Sequence, residues 1–213
     1  MASNTIKARG IIIKETAVGE TDKYLTIFTK DTGKLIVRAR GAKNAKSKYL
    51  TAQLFAYCDF VLYQGRGFYS LTQVELIESF YNLRLDYERL MLAYDIISLV
   101  DKYIPTGHIE LQESQDILLL VLKAISKLTK KTAVPELVVI VFQLKFLQIT
   151  GFAPNISNTT SMDNNRQDIA EVLEYIMSCE ISKVYNFSVE KDIEKGLERV
   201  CKQFLPKLEL ELN

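Results

Sequence analysis

The sequence predicts an α+β chain: a small five-stranded β-barrel over residues 1–80, then an all-helical domain over residues 81–213. Three observations predict it. Apolar residues recur every second position up to Ile77 and with helical spacing from Leu83 onward. Glycine-bearing turn clusters cut the first part into strand-length pieces. The chain has 213 residues, 48% of them hydrophobic, which is enough for a core in one large or two small domains.

Ile6–Lys14 is the first strand candidate, and Tyr24–Thr29 follows the turn-like cluster Gly19-Glu20-Thr21-Asp22. Asp31-Thr32-Gly33 is a hairpin signal. Lys34–Gly41 alternates, with Leu35, Val37 and Ala39 pointing one way and Lys34, Ile36, Arg38 and Arg40 the other. Phe55–Tyr63 and Phe68–Ile77 form a second pair, joined by Gln64-Gly65-Arg66-Gly67, whose glycines allow positive φ in a tight turn. Five strands at this spacing fit an OB-fold, a short and strongly bent barrel. The pattern alone fits an SH3-like barrel equally well.

The helical part begins with Leu83–Ile104, which sets Leu90, Tyr94 and Ile97 on one stripe. Ser114–Leu128 contains the run Ile117–Leu122, too apolar to face water on any side. Pro135–Ile149 opens on a proline suited to a first helical turn and is apolar almost all round, as in the central helix of a bundle. Gly151 is a C-terminal stop, and residues 155–165 read as a polar loop. Arg166–Ser178 is amphipathic through Ile169, Val172, Leu173, Ile176 and Met177. Ser188 is placed to cap a last helix carrying Val189, Ile193, Leu197, Val200, Cys201 and Phe204.

Several function classes are excluded. The longest apolar runs, Leu137–Phe142 and the equally long Ile117–Leu122, are far short of a membrane span, and no signal peptide is readable, so a cytoplasmic protein is expected. Cys58, Cys179 and Cys201 form no CxxC pair, and His108, in an inter-helix loop, is the single histidine. They lack the closely paired ligands of a four-ligand zinc site, and nothing supports a Ser-His-Asp arrangement, which would have to use that one histidine. No phosphate loop is present. The chain is read as a non-enzyme with no metal or other cofactor.

Charge is unevenly placed. Residues 1–80 carry 12 Lys/Arg against 7 Asp/Glu, and residues 81–213 carry 15 against 19. A basic half on a near-neutral chain is a candidate polyanion-binding surface. Its densest part, Lys34–Lys48, holds Lys34, Arg38, Arg40, Lys43, Lys46 and Lys48 with no acidic residue, the last three on a flexible stretch. Arg66 sits at a hairpin tip, and Tyr24, Tyr49, Tyr57, Tyr63, Phe68 and Tyr69 interleave nearby. Cations of this density neutralise phosphates, and exposed rings stack on bases without regard to sequence. The residues alone leave two readings open, a single-strand-binding face or a solvated basic loop beside core aromatics.

The motifs resemble those of the RecO family. Gly10-Ile11-Ile12-Ile13-Lys14-Glu15 followed by Gly19-Glu20-Thr21-Asp22 is similar to its opening, continued by Phe28-Thr29-Lys30 and Gly33-Lys34-Leu35. Arg40-Gly41-Ala42-Lys43 with Lys46-Ser47-Lys48 looks like its basic segment. Residues 62–71 and 75–80 resemble its last two barrel strands, and Gly151-Phe152-Ala153-Pro154 its motif after the central helix. The resemblance is dense over residues 6–81 and sparser, but collinear, to about residue 205.

It implies an N-terminal OB-fold on a helical domain, binding of single- and double-stranded DNA, and annealing of complementary strands. It implies partners too: RecR, the acidic and hydrophobic tail of single-strand-binding protein, and the recombinase RecA indirectly, in the bacterial cytoplasm at the nucleoid. The family's DNA contacts map onto Lys34, Arg38, Arg40, Lys43, Lys46, Lys48 and Arg66. One departure stands out. Many members follow the Gly-Phe-Ala-Pro motif with a four-cysteine zinc module, whereas here Pro154 leads into cysteine-free residues 155–165. No zinc is expected. The rival readings are an RNA-binding OB-fold accessory and a non-catalytic scaffold.

Overall fold

The computed structural model describes residues 4–107, 109–154 and 166–211. Contacts divide them into two compact units. One comprises residues up to Tyr81 with Ile97–Leu118, the other Asn82–Ile96 with residues from Leu119 on. His108 and residues 155–165, the polar stretch expected in place of the zinc module, lie outside the described residues.

The first unit is built on a closed barrel of β1 (Thr5–Val18), β2 (Asp22–Thr29), β3 (Gly33–Ala39), β4 (Tyr57–Gln64) and β5 (Tyr69–Glu78), in the order β1-β2-β3-β5-β4. β3 pairs parallel with β5 and the other neighbours are antiparallel. This is the OB arrangement, with helices following the barrel in sequence. Closure requires β1 to serve two neighbours, and Gly10 is opposite both Thr29 and Cys58. A Cβ at Gly10 would lie 2.3 Å from the Phe28 carbonyl oxygen, so only glycine lets β2 come this close. Two residues on, a register shift between Ile12 and Lys14 bends the strand further.

Alternation fills the interior. Ile12, Leu25, Ile27, Leu35, Val37, Phe60, Leu62 and Leu71 are all buried in one cluster. Tyr49 joins them from the β3–β4 connection and donates its hydroxyl to the Leu71 carbonyl at 2.7 Å, which satisfies its buried polar atom. Residues 97–118 are tied to the barrel by polar contacts. Ser114 donates its hydroxyl to the Thr29 carbonyl at 2.7 Å, and the Gly107 amide donates to the Lys34 carbonyl at 2.8 Å.

A 3-10 turn, Tyr81–Leu85, precedes helices α1 (Tyr87–Tyr103), α2 (Leu111–Leu128), α3 (Pro135–Ile149), α4 (Arg166–Ser178) and α5 (Lys191–Glu211), the fourth and fifth in chain order of the described helices. Asp86 caps α1, its Oδ1 accepting from the Arg89 amide at 3.2 Å. α3 is buried from Leu137 to Phe142 and again from Leu144 to Leu147, and packs against both α4 and α5. Val134 is extended ahead of Pro135, and Gly151 takes φ +85 after the helix. α5 begins at Lys191, so Ser188 lies too early to cap it. Arg89 donates to the carbonyls of Leu128 and Lys130, both at 2.8 Å, and of Ala133 at 3.2 Å. That guanidinium satisfies orphan carbonyls at the end of α2 and fixes the loop into α3.

Candidate nucleic-acid interface

Several of the first unit's cations are already neutralised. Arg9 pairs with Asp59 at 2.7 Å, Lys14 with Asp101 at 2.9 Å, Lys23 with Glu15 at 2.6 Å and Arg38 with Asp22 at 2.7 Å. Among the described residues, Arg40, Lys43, Lys46, Lys48 and Arg66 have no acidic partner, and all five are exposed. Positive charge without an acidic partner is thus densest on the stretch after β3, with Arg66 on the β4–β5 hairpin and the exposed Lys7 and Lys30 elsewhere in the unit.

That stretch is not a flexible tether, as its composition led us to expect. It is folded into successive turns, with Asn44 donating its amide to the Gly41 carbonyl at 3.2 Å and Ser47 to the Asn44 carbonyl at 2.9 Å. Asp22 anchors its start. One carboxylate oxygen accepts from Arg38 Nη2 at 2.7 Å, and the other from the Gly41 amide at 2.9 Å. The Gly41 amide, and then the Arg38 guanidinium, hold the Asp22 carboxyl down at about 2. A carboxyl depressed this way keeps its grip above the ordinary carboxylate range and loses it only as pH falls toward 2. Farther along, Lys43 donates Nζ to the Gly19 carbonyl and Lys48 to the Thr72 carbonyl, each at 3.0 Å. Each ammonium keeps two more protons to offer.

Lys34 is placed differently from the other expected DNA contacts. It is 7% exposed, and its ammonium donates to the Asp101 carbonyl at 2.5 Å and to Asp101 Oδ1 at 3.3 Å. Alternation sends it out of the barrel core, but the C-terminal end of α1 covers it there. It holds the unit together and is unavailable to phosphate. Arg38 keeps 41% of its side chain exposed while bound to Asp22.

The rings divide as well. Tyr49 is buried, Tyr57 half-buried, and Tyr69 packs on the core, whereas Tyr24, Tyr63 and Phe68 are exposed. At the hairpin tip only Gly67 takes a positive φ, +78. At Gly65 a Cβ would lie 2.3 Å from the tip of the exposed Phe68 ring, which lies over the turn, so a larger residue there needs that ring to swing aside. Burial pushes the Cys58 thiol up to about 12, which makes it a poor metal ligand. Among the described residues no group of three or more His, Cys, Asp or Glu is placed to hold a metal ion.

Residues 1–80 match the family model described as Recombination protein O N terminal, and residues 84–170 match Recombination protein O C terminal. The chain is 30% identical to DNA repair protein RecO of Acetivibrio thermocellus, in an alignment taking in 99% of this chain and 94% of that protein. The chain belongs to the RecO family. DNA repair protein RecO of Alkaliphilus metalliredigens is 35% identical over 73% of this chain and 62% of its own length. That of Shouchella clausii is 36% identical over 70% of this chain and 57% of its own. The RecO N-terminal match coincides with the barrel and contains every candidate DNA contact. No described helix of this RecO-family chain is long and apolar enough to cross a membrane.

Proposed function

We propose that this protein binds single- and double-stranded DNA, anneals complementary strands, and assists RecA loading on DNA coated with single-strand-binding protein, without making or breaking covalent bonds. The observation that carries this reading is the set of five uncompensated cations, Arg40, Lys43, Lys46, Lys48 and Arg66, beside exposed rings on an OB barrel. Two phosphate backbones repel each other, and a cationic face that neutralises one strand lets the second approach. Base pairing then supplies specificity. The surface needs only fixed positive charge, which the Asp22 anchor and the carbonyl contacts of Lys43 and Lys48 orient. RecR is the partner the family membership points to, and the Gly151–Pro154 motif, followed by the cysteine-free residues 155–165, fits a chain that works without zinc.

The tail of single-strand-binding protein is acidic and apolar, which restricts where it docks. Of three cavities described in the second unit, one is edged by Glu136, Glu194 and Glu198 with Lys202, which pairs with Glu198 and leaves the edge net negative, and another by Asp168 and Glu171. Both repel an acidic peptide. The third, about 80 Å³, has Lys127 on its wall, an apolar floor of Leu137, Val138 and Val141, and a Tyr185 hydroxyl with no hydrogen-bond partner. The exposed Lys130 and Lys131 lie on the adjoining loop that Arg89 fixes. We assign the tail to this cavity. Val134→Glu, at its exposed mouth, should lower the affinity for a tail peptide more than tenfold and leave DNA binding unchanged. Unchanged peptide affinity refutes the assignment.

The wider reading is tested by titrating a labelled single-stranded oligonucleotide at several salt concentrations. Neutralising a phosphate with each of the five cations gives a log–log slope of roughly −3 to −4. Salt-independent binding, or none, rejects it.

A further inference from the structure

Strand register lines up a row of side chains across the outside of the barrel. Tyr24 on β2 is opposite Arg38 on β3, Arg38 is opposite Ser70 on β5, and Ser70 is opposite Tyr63 on β4. Directly opposed residues project from the same face of a sheet. The chain neighbours Leu25, Val37, Leu71 and Leu62 all point into the core, so the row points out. Tyr24 is 38% and Tyr63 45% exposed. Three strand spacings, about 14 Å, separate the two tyrosine positions. Arg38, oriented by Asp22, stands between them.

Cations flank this row. Arg40 follows Arg38 by two residues, and Lys48 is anchored on the Thr72 carbonyl, two residues from Ser70. Arg66 lies on the hairpin that joins Tyr63 to Ser70. Phosphates are common to single strands and duplex, so these cations grip both. Only an unpaired base offers its face to a ring; a paired base is already stacked inside the duplex.

We propose that Tyr24 and Tyr63 are base-stacking positions that make the interface prefer single strands over duplex. This rests on the DNA-binding reading above and adds to it the residues that sense strand state. During annealing the bases leave the rings as they pair, the duplex is then held by the cations alone, and the product is released more readily than the substrate.

The test compares wild type, Tyr24→Ala/Tyr63→Ala, Tyr24→Phe/Tyr63→Phe and the control Tyr87→Ala, an exposed tyrosine of α1 in the second unit. Affinity is read by anisotropy for one oligonucleotide, single-stranded and as its duplex. The alanine pair should weaken single-strand binding about tenfold per ring, a stacking-sized loss. Its duplex affinity, both affinities of the phenylalanine pair, and both of the control should match wild type. The chain contains no tryptophan, so Tyr63→Trp supplies a unique reporter, quenched by the single strand and not by the duplex. Equal losses for both ligands, or none for either, overturn the proposal while leaving the DNA-binding reading in place. A wild type that binds neither ligand removes that reading, and this proposal with it.

Discussion

Replacing Arg40, Lys43, Lys46 and Lys48 together with alanine should weaken single-strand binding about a hundredfold at low salt and flatten the log–log salt slope by about 3. The four are exposed and have no acidic partner among the described residues, so their field reaches a ligand without competition from a fixed carboxylate. The protein should stay folded. Arg40 and Lys46 make no side-chain hydrogen bond among the described residues, and Lys43 and Lys48 make one each, to backbone carbonyls. Substitutions of this kind change stability by about 0.5 kcal/mol or less apiece. Duplex binding should fall in parallel, because the same phosphates are contacted. Anisotropy titration at several salt concentrations, with a urea melt of the variant, checks both halves. A full-strength, salt-sensitive variant would place the DNA on another surface.

Lys34→Ala should do the opposite, lowering stability by roughly 3 kcal/mol while the folded fraction binds DNA as wild type does. Removing one member of a buried pair leaves the other under-compensated. The effect belongs at the low end of the usual range because Asp101 keeps Lys14 at 2.9 Å and retains 23% side-chain exposure. Burial pushes the Asp101 carboxyl up, but the ammonium groups of Lys14 and Lys34 outweigh it and hold it below the ordinary carboxylate range. A depressed carboxyl stabilises the fold above its unfolded-state pKa, about 3.9, and that contribution fades as pH falls through the folded-state value. Without Lys34 the folded-state value moves back toward the unfolded one, so this group's pH window narrows and the variant should lose less stability than wild type on acidification. Urea midpoints across the acid range read this directly. Unaltered midpoints together with weakened DNA binding would return Lys34 to the interface.

Lys34 also marks how far the sequence could be read. The alternation in β3 correctly separated Leu35, Val37 and Ala39 from Ile36, Arg38 and Arg40, because a two-residue period is local. The same alternation grouped Lys34 with the outward cations. Only a residue 67 positions away, Asp101, makes it internal. Asp22 was legible as part of a turn, but its hold on Arg38 and Gly41 arises when β2 and β3 pair. Tyr49 looked like an available ring because nothing in its loop signals that its hydroxyl will meet the Leu71 carbonyl. α3 was read with its observed ends, since Pro135 and Gly151 bound an unbroken apolar stretch. Ser188 had the right chemistry for a cap three residues before the turn where α5 starts.

The most direct measurement is annealing of complementary oligonucleotides coated with cognate single-strand-binding protein, in buffer without nucleotide. Wild type should accelerate annealing, the rate should fall steeply with salt, and the Arg40, Lys43, Lys46 and Lys48 alanine variant should run at the uncatalysed rate. Coated strands that pair no faster with wild type than without it, or as fast with the variant, would contradict an annealing face built on these four cations.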